Sequence, residues 1–376
     1  MSRFLVPILL LLTAVSRGGT VPADTLEKPA LTPLEELWSH AVIYEDKGNP
    51  YLQKVRLIGR YHTNWTSVDS DQGDRTDWET RRLRLGINAE FLEQFEIRNE
   101  WNVTGLDDDI WDPKVDNIDT LFLSWKPSSS FNLTAGKHKA PLTQEFRSSS
   151  NELLTIERTV LTQSFTAIER HWGISARGEE GNWSWLTGVW AGNFREEYNA
   201  WFDSSGPAFS LSSLGYDFGK DGGSWEKALL TIQYAKTESQ DAITPKFDNI
   251  ISLNFEGVSG PWTLYSDLLT GWGDRELTGF QVMPGYFLTK ELQAVARYQY
   301  GAGDENTLPL RNRYERLVAT GAGDEAHSFY GGLNYYLHGH RAKLMVGAEY
   351  LDMEDRAADG GEFNGWTAIA GAVVWF

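Results

Sequence analysis

The chain has 376 residues, a formal net charge of −18 and no cysteine, with 16 Trp, 15 Tyr and 18 Phe beside 36 Gly. So acidic a balance argues against nucleic acid as a partner, because a phosphate backbone needs a basic face. The lack of cysteine excludes disulfides, thiolate metal sites and cysteine nucleophiles.

Residues 1–23 read as a secretory leader: Arg3 supplies an early positive charge, residues 4–15 are apolar, and small and polar residues come next. The run is shorter than the roughly 20 apolar residues a membrane-spanning helix needs. Cleavage after Ser16 or after Ala23 fits, which leaves residues 24–50 as a short periplasmic N-terminal segment and 51–376 as the folded domain. Beyond the leader no apolar stretch is long enough for a transmembrane helix, so the aromatic-rich remainder is either a soluble all-β protein or a barrel whose spans hide their hydrophobicity in alternation.

Period two dominates from Tyr51 onward. The first run sets Val55, Leu57, Gly59, Tyr61 and Trp65 on one face against Lys54, Arg56, Arg60, His62 and Asn64 on the other. Next, Leu83, Leu85, Ile87, Ala89 and Phe91 alternate with Arg82, Arg84, Asn88 and Glu90; then Phe95, Ile97, Trp101 and Val103 with Glu96, Arg98, Glu100 and Asn102. Late in the chain Leu292, Ala294, Ala296, Tyr298 and Tyr300 oppose Gln293, Arg297 and Gln299, and Ala342, Leu344, Val346, Ala348 and Tyr350 oppose Arg341, Lys343 and Glu349. Continued along the chain, the pattern predicts about 16 strands of about 10 residues, the length a tilted strand needs to cross a bilayer. Their expected starts are Tyr51, Trp78, Gln94, Asn117, Phe131, Ile168, Asn182, Phe209, Glu226, Asp248, Pro261, Leu277, Glu291, His327, Arg341 and Asn364.

Connections fall into two kinds. After even-numbered strands they are tight, at residues 92–93, 127–130, 180–181, 219–224, 258–260, 289–290 and 339–340; after most odd ones they are long and polar, at 66–77, 105–116, 140–167, 195–207 and 302–326. Short turns on one rim and long loops on the other describe an outer-membrane barrel, with the short turns in the periplasm. The closing run puts Trp366, Ala368, Ala370, Ala372, Val374 and Phe376 on one parity, so the chain ends on an aromatic strand terminus of the kind bacterial outer-membrane proteins present for insertion. The expected fold class is therefore all-β, an antiparallel transmembrane barrel in the bacterial outer membrane.

Three stretches carry a family resemblance: Asn49-Pro50-Tyr51-Leu52-Gln53 through Gly59-Arg60-Tyr61-His62, Arg81-Arg82-Leu83-Arg84-Leu85-Gly86, and Gly136-Lys137-His138-Lys139-Ala140-Pro141 through Glu157-Arg158-Thr159. With these motifs the chain resembles the phosphate-selective porins of O and P type, more thinly from about Leu37 to Phe376. The resemblance implies a sixteen-stranded barrel, a homotrimer, and a third extracellular loop folded into the lumen. Here that loop is 140–167, the longest connection, and a loop of that length in a compact fold is functional or disordered. Leu153, Leu154, Ile156, Val160 and Phe165 are suited to pack it on the wall, with Arg147 and Arg158 either facing the lumen or pairing with Glu145, Glu152 or Glu157.

The pore-lining candidates are Arg56, Arg60, Arg82, Arg84, Arg98, His138, Arg177, Arg297, Arg341 and Lys343, with His62 and His171 on the same face. Fixed cations on a low-dielectric wall concentrate anions and lower their crossing barrier. Glu90, Glu96, Glu100, Glu256 and Glu349 share that lumen, so part of the charge is expected to be paired. Asp69, Asp71, Asp74 and Asp77, and Asp107, Asp108, Asp109 and Asp112, make the outer loops acidic; they keep the loops solvated or bind divalent cations shared with lipopolysaccharide. No catalytic motif, metal-ligand spacing or cofactor cradle is seen. The expected function is a passive channel for small anions such as phosphate or polyphosphate, with outer-membrane lipid and lipopolysaccharide as surroundings. A general or carbohydrate-permeable porin is the alternative, and a secreted all-β hydrolase or lectin the remoter one.

Overall fold

The computed structural model describes residues 32–104, 114–165, 170–191, 208–237, 247–310, 313–358 and 360–376. The leader, Asp107, Asp108, Asp109, Asp112 and the end of the 140–167 loop lie outside the described residues. Two units are distinguished, residues 1–39 and 40–376. In the first, the helix Pro33–Ser39 opens with a capping box: the Thr32 amide donates to Glu35 (2.7 Å), and the Glu35 amide donates back to the Thr32 hydroxyl (3.3 Å).

The second unit opens with a short strand, β1 (Val42–Glu45), then β2 (Leu52–Ser70), β3 (Gly73–Phe91), β4 (Phe95–Thr104), β5 (Lys114–Ser128) and β6 (Phe131–His138). Then come β7 (His171–Glu180), β8 (Trp183–Ala191), β9 (Ala208–Asp217), β10 (Lys227–Thr237), β11 (Asn249–Ser259), β12 (Trp262–Trp272), β13 (Leu277–Phe287) and β14 (Leu292–Gly303). A two-residue pair, β15 (Leu308–Pro309) and β16 (Ala322–Gly323), precedes β17 (Glu325–His338), β18 (Ala342–Glu354) and β19 (Phe363–Trp375). Sixteen of these, β2 to β14 and β17 to β19, pair antiparallel with their sequence neighbours. The sheet closes where β19 pairs with β2, from Gly365 opposite Ser70 to Trp375 opposite Arg60. Closure leaves no open edge in the hydrocarbon, which an antiparallel sheet in lipid requires.

Burial along the strands is inverted relative to a soluble protein. Leu85, Ile87, Ile97, Ile174, Ile232, Leu268, Val282 and Val346 are exposed, whereas Asn88, Gln233, Asn254, Gln281, Gln293, Gln299 and Asn334 on the opposite parity are buried. Apolar side chains outside and amides inside are what lipid on one side and a polar lumen on the other select. Trp125, Trp183 and Trp262 are exposed next to short turns, and Trp78, Trp272 and Trp366 toward the opposite strand ends. That is the placement of two interfacial aromatic girdles.

The structure departs from the sequence expectation at the first connection. Residues 66–77 do not form a long loop: β2 continues to Ser70, β3 begins at Gly73, and the Ser67 and Thr76 hydroxyls bond across the pair at 2.9 Å. Polar residues there still alternate and still pair, so their polarity marks the emergence of the hairpin from the membrane rather than its end. The segment before Tyr51 is also more than a lead-in, because β1 pairs with the start of β2 (Glu45 opposite Lys54), below the point where β19 stops at Arg60.

Gly136 in β6 has φ +131°, and a Cβ there would lie 2.2 Å from the Leu121 carbonyl oxygen. Gly136→Ala is therefore expected to destabilise the barrel by about 1–3 kcal/mol, read as a lower temperature for conversion of the unheated, compact electrophoretic form. An unchanged conversion temperature would mean the strand shifts to make room.

Candidate functional site

Residues 140–165 leave β6 and pack on inward-facing side chains of the wall. The Thr143 amide donates to Gln233 of β10 (2.9 Å) and the Gln144 amide to Asp267 of β12 (2.8 Å). The Leu161 amide reaches Gln299 of β14 (3.3 Å), Asn334 of β17 donates to the Leu154 carbonyl (2.9 Å), and Lys343 of β18 donates to the Leu153 carbonyl. Apolar anchors accompany these bonds. Leu154 packs with Met283 and Val295, Ile156 with Met345, Ile369 and Val373, and Val160 and Phe165 with Phe247, Leu269 and Leu277. The row of buried amides is thus used to fasten a polar backbone that would otherwise be stranded away from water.

On the other side of this segment, toward β2 to β6, lies a cavity of about 660 Å³. Among the described residues ten Lys or Arg line it against three Asp or Glu, a formal excess of seven positive charges. Arg60 comes from β2, Arg81, Arg82 and Arg84 from β3, Arg98 from β4 and Lys137 from β6; Lys139, Arg147, Arg158 and Arg170 come from the segments beyond β6.

A bulge explains the density of cations on β3. His62 pairs with Arg82 and Thr63 with Thr80, so Arg81 is an extra residue, and it joins Arg82 on the inner side. Both approach Glu157 of the inner segment, Arg81 by a hydrogen bond and Arg82 at 3.8 Å. Burial alone would raise the Glu157 carboxyl, but Arg81 and Arg82 outweigh it and hold it down to about 2. Its contribution to holding the segment is therefore present above the ordinary carboxylate range and is lost only as pH falls toward 2.

Most of the other cations are partly neutralised. Arg60 pairs with Glu100 at 2.6 Å and donates to Ser150 at 3.1 Å; Arg98 meets the same Glu100 at 3.1 Å. Arg84 and Arg170 share Asp119 at 2.8 and 3.0 Å. Arg147 pairs with Glu256 of β11 at 3.2 Å. Arg158 donates to the Glu145 carbonyl at 3.0 Å and lies over the Phe146 ring. Its guanidinium is lowered to about 10, burial outweighing Glu145 and Glu157, and stays charged at neutral pH. Lys139, buried beside Arg158 and Arg170, is lowered well below an ordinary lysine and donates to the Phe146 and Ser148 carbonyls. Among the described residues Arg82 makes no side-chain hydrogen bond, and its only acid within 4 Å is the Glu157 shared with Arg81.

The expected lining residues thus divide. Arg60, Arg82, Arg84, Arg98, His138, Arg147 and Arg158 line the cavity. Arg297 and Lys343 face inward but are buried beneath residues 140–165 as anchors; Arg297 donates to Glu145 (3.0 Å), Thr155 (2.8 Å) and Glu349. Arg56 lies outside the cavity beside Asn88, and Arg177 is exposed on β7, also outside it. Arg341 does not line it either: it sits exposed in the turn before β18, 5.6 Å over the Trp375 ring. Its parity fits the inner face, but its position is past the strand end. Of the buried histidines, His62 bonds Asn151 of the inner segment (3.0 Å) and His171 the Ala191 carbonyl (2.9 Å). Sequence reasoning missed Arg81, Lys137, Lys139 and Arg170. The adjacent pair Arg81-Arg82 and the run Lys137-His138-Lys139 break period two, and that break is the signal that could have found them.

A closed sixteen-stranded barrel, apolar outside, with an inward segment and a polar lumen, defines an outer-membrane porin. Residues 55–213 match the family described as phosphate-selective porin O and P, and with this fold the chain is a bacterial outer-membrane diffusion channel. The fold is similar to that of an anion-selective porin from Comamonas acidovorans, with a TM-score of 0.58 and 15% identity, covering 86% of this chain and 99% of that one. It is also similar to the outer membrane channel DcaP of Acinetobacter baumannii (0.54, 14%, 89% and 99%) and to OmpT of Vibrio cholerae in its trimer form (0.54, 13%, 86% and 99%). A comparison with curated proteins gives no match.

Proposed function

We propose that this porin prefers anions, with small phosphate-like oxyanions as its solutes, that residues 140–165 form its constriction, and that it works as a homotrimer among outer-membrane lipid and lipopolysaccharide without a catalytic role. The observation that carries the reading is the cavity, whose lining holds an excess of seven formal positive charges although the whole chain is at −18. Other acids lie away from it: Asp69, Asp71, Asp74 and Asp77 are exposed at the outer ends of β2 and β3. Screening confines their repulsion of an incoming anion to about 8 Å at physiological salt, while a partly desolvated lumen is screened less. The carbohydrate reading has less support, because the large exposed tryptophans sit on the outer face and the aromatic side chains of the cavity lining are Phe122 and Phe146, with His138.

The test is the reversal potential of the refolded protein in a planar bilayer under a potassium chloride gradient, repeated with phosphate on one side. Anion selectivity with phosphate blocking the chloride current is the expected result. Weak or cation selectivity without block would leave a general porin.

A further inference from the structure

We propose that residues 304–310 and 313–324, between β14 and β17, form a second constriction element, and that Arg313 is the positioning residue through which this element fixes residues 140–165 and so sets the width of the pore. The proposal rests on the reading of 140–165 as the constriction, but not on the channel's preference for anions.

An outer loop of a barrel is normally solvated, whereas the middle of this one is buried among the described residues. Leu308, Leu310, Tyr314, Glu315 and Ala319 are buried, and Arg313 has no exposed surface. Leu308 and Leu310 belong to the same apolar cluster as Val160, Leu161 and Phe165. A cluster shared in this way makes the two segments one packed body.

The polar contacts join the same parts. Arg313 donates to the Arg158 carbonyl at 2.6 Å and through Nε and Nη2 to Glu315 at 2.9 and 2.6 Å, lies 2.9 Å from Glu349, and stacks on the Tyr314 ring at 4.7 Å. Glu349 belongs to the wall strand β18 and also accepts from Tyr314 and Arg297. Arg297 in turn holds Glu145, Thr155 and the Glu157 carbonyl. Outer element, wall and inner segment are therefore tied by one buried network with Arg313 at its outer end. The residue whose carbonyl Arg313 holds, Arg158, is one whose side chain lines the cavity. A planar guanidinium with a rigid fork of donors fills this role, and an ammonium cannot reach all of these acceptors.

The experiment is single-channel recording of Arg313→Ala, Arg313→Lys and Glu315→Gln beside the unaltered protein, with the heat-dependent electrophoretic shift as a check that the barrel is closed. Release of the inner segment predicts an Arg313→Ala conductance raised roughly twofold or more, with added open-channel noise, and an intermediate value for Arg313→Lys. Glu315→Gln, which keeps the arginine but weakens its hold, is expected to move conductance the same way by less, and it decides the matter if Arg313→Ala does not fold. Conductance and noise equal to the unaltered channel, in a variant whose barrel merely converts at lower temperature, would overturn the proposal. Lack of anion preference in the unaltered protein would sink the solute reading and leave this test intact.

Discussion

Arg82→Glu is expected to move the channel's reversal potential from the anion side to the cation side, a larger selectivity change than Arg84→Glu produces. Arg82 is weakly compensated, 3.8 Å from a Glu157 that Arg81 already engages. A unit charge about 5 Å from a passing ion, at an effective dielectric between about 40 and 80, is worth roughly 1–2 kcal/mol. Reversing its sign doubles the difference, and after screening the permeability ratio is expected to change on the order of tenfold. Arg84→Glu alone should shift selectivity less, because Asp119 at 2.8 Å already neutralises that arginine, and should destabilise more, because it sets two carboxylates side by side. The double change should exceed either one. A reversal potential unmoved by Arg82→Glu would place the narrow zone elsewhere in the lumen.

Strands were the legible part of this sequence. Expected and observed starts agree within a few residues along the barrel, Phe131 and Leu277 coinciding, because a wall with lipid outside and a polar lumen inside forces period two on every span. Alternation also reports which residues face inward, and Arg60, Arg84, Arg297 and Lys343 all do. It does not report what lies over them. Arg297 and Lys343 are sealed under residues 140–165 while Arg60 and Arg84 stay on the cavity, and that difference depends on long-range contacts such as Asn334 with Leu154 that no local pattern encodes. Bulges were the second limit. One extra residue at Arg81 and another at Asp119 shift the parity of the strand residues beyond them, so a site built where period two fails is the part a period-two reading does not see.

Asp119→Asn is expected to strengthen anion binding while weakening the fold. Glu100 pairs with Thr120 and Trp101 with Ile118, so Asp119 is the extra residue of its bulge; it is 3% exposed and turned among Arg60, Arg84 and Arg170. There it joins Arg84 at 2.8 Å and Arg170 at 3.0 Å and neutralises part of the lumen's charge. An acid in a basic pore would be a handicap if charge alone set performance, but cations packed this closely repel one another, and Asp119 holds two of them in fixed orientations. Removing its charge while keeping its shape leaves both guanidiniums with uncompensated charge toward the cavity. Breaking a buried pair from one side typically destabilises by about 3–5 kcal/mol, and the two arginines, open to the cavity's water, should place the loss at or below the lower end. The phosphate concentration that halves chloride current should fall, on the order of tenfold for roughly 1.4 kcal/mol of added attraction. The conversion temperature of the unheated form should fall with it. A lower conversion temperature with unchanged block would make Asp119 a fold element only; tighter block at lower stability would show that the porin gives up part of its anion affinity to keep its basic lumen assembled.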